Sequence, residues 1–457
     1  MFLAQIDRLK GLDRCQDVPY TFVSTTGILM ELSMKTHLLT DKRLMLLMPE
    51  STYRAESFLK AAQELGLEAV VASDRCHMLA DYWHVPLALK FRYPDQAVQD
   101  IIDYAKANSV QAIIPVDDKT TVIAAKACEA LSLPHNAPEA AEAARNKRKM
   151  RELLMASDVP CPDFEVFEMS ADPVQISNTI AYPCVLKPLL LSASQGVIRA
   201  DTPAQFIAAF NRICRILQSL QLSPVAEPDA GKILAEAFIT GTEIAIEGII
   251  SQANLRVLAV FDKPDPLDGP FFEETIYVTP SRLSEDVLHD VVDATEQAIR
   301  AIGLTEGPVH AELRVNDEGP WIVEVAGRSI GGLCSRTLQF GLGISLEELI
   351  LRHSFGIDIN QLGRQDHAAG VMMLPVPEGG ILTSVSGIDQ AKQVTGIEAV
   401  VITAKPGEIL VPLPEGSSYP GFIHARGETP ELVEQALRTA HGTLEFRLTE
   451  PLPLALH

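Results

Sequence analysis

The stretch Gly307–Gly332, GPVHAELRVNDEGPWIVEVAGRSIGG, decides how this chain is read. Two strand-like runs, Val309–Val315 and Trp321–Ala326, flank the turn sequence Asn316-Asp317-Glu318-Gly319-Pro320. Alternate side chains of a strand share a face, so Glu312 sides with His310 and Arg314, and Glu324 with Ile322 and Ala326. The Asp/Gly/Pro turn favours a hairpin, which would lay the two carboxylates side by side. Neighbouring carboxylates resist joint ionisation unless a cation lies between them. A few hard oxygen ligands of this kind suit Mg²⁺ that also takes phosphate oxygens and water. Arg328 follows in a loop with Gly327, Gly331 and Gly332, where its planar fork suits a carboxylate or phosphate. On these residues alone, a surface hairpin with two solvated glutamates stands level with a metal site.

Composition narrows the field. A chain of 457 residues has room for roughly three domains. Its 47% hydrophobic and 21% charged residues are the balance of an ordinary globular protein. The formal charge of −22 disfavours nucleic acid or an anionic membrane as partner, though local lysines, arginines and a metal can still hold a nucleotide. Seven cysteines, at positions 15, 76, 128, 161, 184, 214 and 334, form no CxxC or Cys/His grouping, which fits reduced thiols rather than disulfides or zinc. The opening MFLAQIDRLKGLDR meets charge too early for a signal segment. No apolar run nears the roughly 18 residues of a membrane helix. A cytoplasmic protein acting on small molecules is expected.

Working outward, residues 1–40 lack periodicity and read as a leading arm. From Lys42 strands (Arg43–Met48, Ala69–Ala72, Ala112–Val116) alternate with helices (Ala55–Leu65, Ala97–Ala107, Thr120–Leu131). That alternation predicts a parallel, Rossmann-like sheet over 41–135. No GxGxxG follows the first strand, so no dinucleotide site is expected there. One long helix is expected from Pro138 to Ala156. Tyr182–Pro188 reads as a strand entering a loop, and Gly231–Phe238 and Thr242–Ile250 as strands turning at Thr240-Gly241. Leu255–Phe261 and Thr275–Thr279 extend a sheet, with Asp262–Gly269 as a loop between them. Glu285–Ile302 and Leu346–Ser354 have helical spacing. The composition turns to β from Gly370, before a last helix at Pro430–Ala440. The expected organisation is the arm, the Rossmann-like domain, a central α/β unit over 136–365 and a C-terminal β-rich domain over 366–457.

Several residues have the chemistry for phosphate or nucleotide. Lys187 closes an apolar strand directly before the loop Leu189–Val197, where Ser192, Ser194 and backbone N–H groups through Gly196 could cradle a phosphate. An exposed lysine beside a flexible loop is the simpler reading of the same residues. Glu236 and Glu243 flank the Thr240-Gly241 turn; a carboxylate there accepts two donors, as an adenine amino group or ribose hydroxyls would require, or else is solvated. Lys147 lies in the basic run Asn146–Arg151, equally a solvated face. His310 fits a satisfied core histidine.

Taken together and in order, Lys147, Lys187, the Ser/Gly loop, Glu236, Glu243, Glu312, Glu324 and Arg328 resemble the ATP-grasp superfamily. The nearest likeness is to its carboxylate–amine ligase branch, which includes bacterial L-amino acid ligases and has biotin carboxylase as a cousin. The resemblance runs from about Lys42 to the C-terminus, including GFIHARGETPELVEQALRTAH. It implies an α/β (α+β) ATP-grasp fold with a lid over about 162–235. It further implies ATP phosphates at Lys147 and Lys187, adenine at Glu236 and the backbone of Ala237, Phe238 and Ile239, and ribose at Glu243. Glu312 and Glu324 would hold Mg²⁺, or Mn²⁺ in its place, and Arg328 would stabilise the transferred phosphate or a substrate carboxylate. Glu274 and Tyr277 in FFEETIYVTP, with Gly331 and Gly332, match the substrate side. Two departures stand out: Ala326 replaces the usual asparagine after the second metal glutamate, and the loop SASQG is glycine-poor. The implied reaction forms an amide, such as a dipeptide, through an acyl phosphate, with ADP released; a homodimer is the expected assembly. The rivals are a carboxylating enzyme like biotin carboxylase, although no biotinyl carrier segment is present, and a nucleotide-binding protein without turnover.

Overall fold

The computed structural model describes residues 39–49, 52–74, 87–220, 228–376 and 378–450. Apart from Leu39 and Thr40, the expected arm lies outside them, as do Cys15 and Cys76. The remaining five cysteines are free thiols.

The first sheet is built from β1 (Arg43–Met48), β2 (Glu68–Ser73), β3 (Leu87–Ala88) and β4 (Ala112–Pro115), in the order β3-β2-β1-β4. All its pairings are parallel. Helices α1 (Ala55–Glu64) and α2 (Pro94–Asn108) supply crossovers from β1 to β2 and from β3 to β4, and α3 (Asp118–Leu131) follows β4. Both faces of β1 are covered, Met45 and Leu47 against α2 and α3, Leu44 and Leu46 against α1. That two-sided burial is why RLMLLM shows no alternation.

The single helix expected from Pro138 to Ala156 is two: α4 (Pro138–Arg145) and α5 (Lys147–Ala156). Asn146 leaves helical geometry at φ −99°, ψ 108°, and its side chain accepts from the backbone N–H groups of Arg148 and Lys149. An asparagine with a ready N-cap bond restarts the helix in a new direction, so the basic run begins at a helix N-terminus and Lys147 is buried rather than solvated.

Strands β5 (Phe164–Glu168), β6 (Cys184–Pro188), β7 (Ile198–Ala200) and β8 (Lys232–Ala237) form a small antiparallel sheet, ordered β5-β8-β6-β7. Helix α6 (Pro203–Ser219) packs on it through Phe206, Phe210 and Ile213.

The remaining scaffold is one eight-stranded sheet, β13-β12-β9-β10-β11-β16-β20-β18. Its members are β9 (Thr242–Ser251), β10 (Asn254–Asp262), β11 (Ile276–Thr279), β12 (Gly307–Asn316) and β13 (Gly319–Ala326), with β16 (Ala368–Met373), β18 (Ile397–Ile402) and β20 (Gly421–Gly427). The short pair β14 (Gln339–Phe340) and β15 (Ile344–Ser345) stands apart, and β17 (Gly380–Ser386), β19 (Ile409–Leu410) and β21 (Glu445–Thr449) make a further sheet, ordered β19-β17-β21. Helices α7 (Glu285–Ile302), α8 (Leu346–Ser354) and α9 (Pro430–His441) cover the large sheet. The boundary expected near 366 is thus crossed by continuous sheet, since β16 pairs with β11 from Ile276↔Met372 to Thr279↔Ala369. No helix among the described residues is long and apolar enough to cross a membrane.

Candidate active site

The hairpin forms between β12 and β13, and its register sets Glu312 directly opposite Glu324. Period-2 alternation sends Val309, Ala311 and Leu313 into the core beneath α4, α5 and α7, and turns His310, Glu312 and Arg314 to the other face. Ile322 does not share the face of Glu324: the register shifts between Glu312 and Leu313, so Val323 is extra on its strand. Such a bulge rotates the following side chains, and Ile322 and Val325 enter the core while Glu324 and Ala326 face outward. Arg151 Nη2 donates to the Val323 carbonyl at 2.6 Å.

That outer face lines a cavity of about 720 Å³ between the large sheet, the small sheet and the N-terminal domain. Lys147, Lys187, Ser192, Ser194, Glu236, Ala237, Phe238, Ile239, Glu243, Glu274, Tyr277, Glu312, Glu324, Arg328, Gly331 and Gly332 all contribute to its wall. Gly196 does not. Its N–H donates to Pro414 O at 2.9 Å, and a Cβ there would lie 2.7 Å from Pro188 Cγ at a φ of +74°. Glycine at 196 is therefore explained by the close approach of Pro188, and its N–H, expected in the phosphate cradle, is instead spent on Pro414 O. Gly332, at φ +59°, similarly makes room for Phe422, whose Cε1 would be 2.9 Å from an added Cβ.

Charge on the wall is arranged in three groups. In the first, Glu236 is buried between Arg151 (Nη2 3.0 Å) and Lys187 (Nζ 2.5 Å). Burial pushes its carboxyl up, but Arg151 and Lys187 outweigh that and hold it below the usual range. The glutamate expected to read adenine thus already serves two cations of the chain. Lys147 Nζ donates to Leu191 O at 2.8 Å and stands 3.7 Å from Glu324 Oε2, so it ties the serine loop to the hairpin.

The second group surrounds Lys263, which lies in the Pro/Asp-rich segment expected to be a loop. It follows the end of β10, buried, with Nζ 2.6 Å from Glu274, 2.9 Å from Glu243 and 3.0 Å from Glu312. Glu243 also receives Arg314 Nε at 3.0 Å, its direct neighbour in the β9–β12 register. His310, opposite Glu247 in the same register, bridges Glu247 at 3.2 Å and Glu312 at 3.4 Å. Burial alone would lower His310, yet these two carboxylates raise it to about 9. Burial and the charge of Glu312 push Glu274 up to about 7 against the pull of Lys263. The Tyr277 hydroxyl donates to Glu312 at 3.3 Å.

The third group joins the hairpin exit to the N-terminal domain. Arg328 Nε donates to Asp118 Oδ1 at 2.9 Å and Nη1 to Ser329 O at 3.0 Å. Buried Arg54 donates to Val116 O at 3.0 Å and to Ser329 O at 3.3 Å, and also meets Ser329 Oγ. Asp118 opens α3, some 210 residues before Arg328. Its D-D-K context at a helix start was the sole available signal, and nothing local links it to Arg328.

A Rossmann-like parallel sheet, a small antiparallel sheet and a large sheet bearing paired glutamates around one cavity define an ATP-grasp protein. The chain belongs to that superfamily: residues 59–135 match the ATP-grasp N-terminal domain, 180–337 the ATP-grasp domain, and 372–449 the L-amino acid ligase C-terminal domain 2. It is 27% identical over 308 residues to the alanine–anticapsin ligase of Bacillus subtilis, covering 63% of this chain and 64% of that one. It is 25% identical over 355 residues to the dapdiamide A synthase of Enterobacter agglomerans, covering 75% and 81%. An uncharacterised Sinorhizobium fredii protein is matched over 65% of its length, so the chain spans slightly under two thirds of some of these curated relatives. The crystal structure of an L-amino acid ligase from Bacillus licheniformis superposes with a TM-score of 0.74 at 25% identity, over 90% of this chain and all of that one. A biotin carboxylase from Campylobacter jejuni shares the fold at a TM-score of 0.60 and 16% identity, over 90% and 92%.

Proposed function

We propose that this chain is an ATP-dependent carboxylate–amine ligase that joins an amino acid to a second amine through an acyl phosphate. The observation that carries this reading is the hairpin register that sets Glu312 against Glu324 on the wall shared by Lys147, Lys187, Arg328 and Glu274. Two paired carboxylates are hard oxygen donors that fit Mg²⁺ or Mn²⁺, which take the rest of their shell from phosphate and water. Ala326 adds no ligand. When bound, such an ion would neutralise charge on the phosphates.

The chain's own residues position the reactants. Lys147 and Lys187 face phosphate oxygens from the serine loop, and Arg328, held by Asp118, offers its fork to the acid carboxylate and the phosphoryl group it receives. The γ-phosphoryl passes from the bridging oxygen of ATP to a carboxylate oxygen, giving ADP and an acyl phosphate. The nitrogen of a neutral amine then attacks the acyl carbon, phosphate leaves, and the nitrogen gives up one proton. Glu274, opposite in sign to Arg328, completes the complement of an amino acid zwitterion. The small sheet shields an acyl phosphate that water would otherwise hydrolyse.

The match of the C-terminal segment to an L-amino acid ligase domain favours this reading over bicarbonate activation. The test is mass spectrometry after incubation with ATP, Mg²⁺ and amino acids singly, in pairs, or with bicarbonate. A new amide with stoichiometric ADP is expected. ADP formed with bicarbonate but with no amino acid pair would transfer the reading to the carboxylating class.

A further inference from the structure

Glu243, Glu274 and Glu312 offer oxygen atoms all within 4.8 Å of one another, a spacing that alone would suit a divalent cation. The Lys263 ammonium stands among them instead, at 2.9, 2.6 and 3.0 Å. An ammonium has three donors, and here each meets a different carboxylate. Its methylene stem is buried, and Nζ lies 4.9 Å from the centroid of the Tyr277 ring. Hydrogen-bond lengths on three sides leave no room for an ion that needs oxygens at roughly 2.1 Å. These carboxylates come from three strands or strand approaches: Glu243 from β9, Glu312 from β12 and Glu274 from the segment entering β11.

We propose that Lys263 is a positioning residue that gathers these three carboxylates and closes their cluster to metal. Divalent cation is thereby confined to the Glu324 side of Glu312, and Glu274 is kept in place for the amine of an amino acid. This rests on the ligase reading for the roles of Glu274 and Glu312, but the closure itself does not. The arrangement explains how a site rich in carboxylates avoids trapping a second ion where the substrate ammonium must sit. A lysine suits the task because its charge is compact and its donors are directed to three sides.

The test uses Tb³⁺ as the probe, with emission sensitised by tyrosine, on the full nucleotide-free chain. Lys263→Met is expected to bind one Tb³⁺ more than the wild type, and Lys263→Arg to return the count to the wild-type value. In activity assays Lys263→Met raises the amino acid KM by about tenfold or more, as befits loss of a charge-assisted hydrogen-bond partner, while the ATP KM moves much less. Equal Tb³⁺ stoichiometry in wild type and Lys263→Met would overturn the proposal. Should Lys263→Met fail to fold, Glu274→Gln decides the matter in its place. A cluster already closed by Lys263 loses no Tb³⁺ when Glu274 is neutralised, and a lost equivalent would show that metal enters it in the wild type. Because Tb³⁺ binding needs no turnover, absence of an amide product would refute the ligase reading and leave this result standing.

Discussion

Arg328 is held over the cavity by a residue of another domain, and removing that residue should be costly in a defined way. Asp118→Ala takes away one of two anchors, the 2.9 Å bond to Nε, and leaves Nη1 on Ser329 O at 3.0 Å. The Arg328 and Asp118 side chains are only 14% and 19% exposed, so solvent screens the pair weakly. A hydrogen bond between charged partners is worth about 1.5–3 kcal/mol, which corresponds to a loss of about 10- to 150-fold in kcat/KM. If the guanidinium orients the acceptor carboxylate during transfer, the loss falls mainly on kcat and amino acid KM, and the ATP KM stays nearly unchanged. Asp118→Asn keeps an acceptor without the charge and should fall between the two. The pH dependence follows from the same pair. Burial opposes ionisation of Asp118, but Arg328 prevails and its carboxyl lies below the ordinary value of 3.8. A depressed carboxylate contributes stability above its unfolded value and loses it as pH falls through the folded one. The anchor therefore stays charged where free carboxylates begin to protonate. ADP release, followed by a coupled assay across amino acid concentration, measures the effect; wild-type kcat/KM in Asp118→Ala would falsify the argument.

Three further outcomes are expected. Glu324→Gln abolishes ADP formation with an unchanged circular dichroism spectrum, and normal turnover at limiting Mg²⁺ would remove Glu324 from the metal site. Glu236→Gln leaves Arg151 and Lys187 buried with no carboxylate between them, a loss of about 3–5 kcal/mol to be read from chemical or thermal denaturation. Since the Glu236 carboxyl is depressed in the folded chain, the wild-type advantage is full above the ordinary carboxylate range and shrinks in acid; an advantage that grows in acid would contradict the pairing. Arg328→Lys keeps charge but loses the fork and should depress phosphoryl transfer, whereas Glu274→Gln should chiefly raise the amino acid KM. Identical kinetic profiles for the two variants would show that they do not read opposite ends of one substrate.

The hairpin was legible because its information is local: alternation, a Gly-Pro turn and two glutamates at matching distances from it. What local pattern could not show was the bulge at Val323, since a one-residue excess on one strand depends on how Ile322 and Val325 both find the helix-side core. The break at Asn146 was hidden by an alanine-rich run with helical spacing on both sides, although asparagine before a basic helix was an available cap signal. Lys263 and Asp118 were missed for a different reason. Both act through partners distant in sequence, and a lysine after Phe-Asp or an aspartate at a helix start looks ordinary until the sheets assemble. Lys187 and Glu236 were singled out, but their 2.5 Å pairing required β6 and β8 to lie side by side.

The continuity of the large sheet bears on how such proteins could be recombined. With β16 hydrogen-bonded to β11, the segment that β16 opens is stitched to the cavity wall rather than appended to it. A chimera that imports this segment from a relative at a cut near residue 366 would have to reproduce the Ile276↔Met372 to Thr279↔Ala369 alignment. A one-residue slip of the imported strand would turn Val371 and Met373 from the face they share with Tyr277 and bring Met372 to it. A truncation there would bare β11 as a sticky edge. The unit of exchange is therefore the strand pair, and grafts that carry β11 and β16 together should stay soluble where grafts of the C-terminal segment alone aggregate.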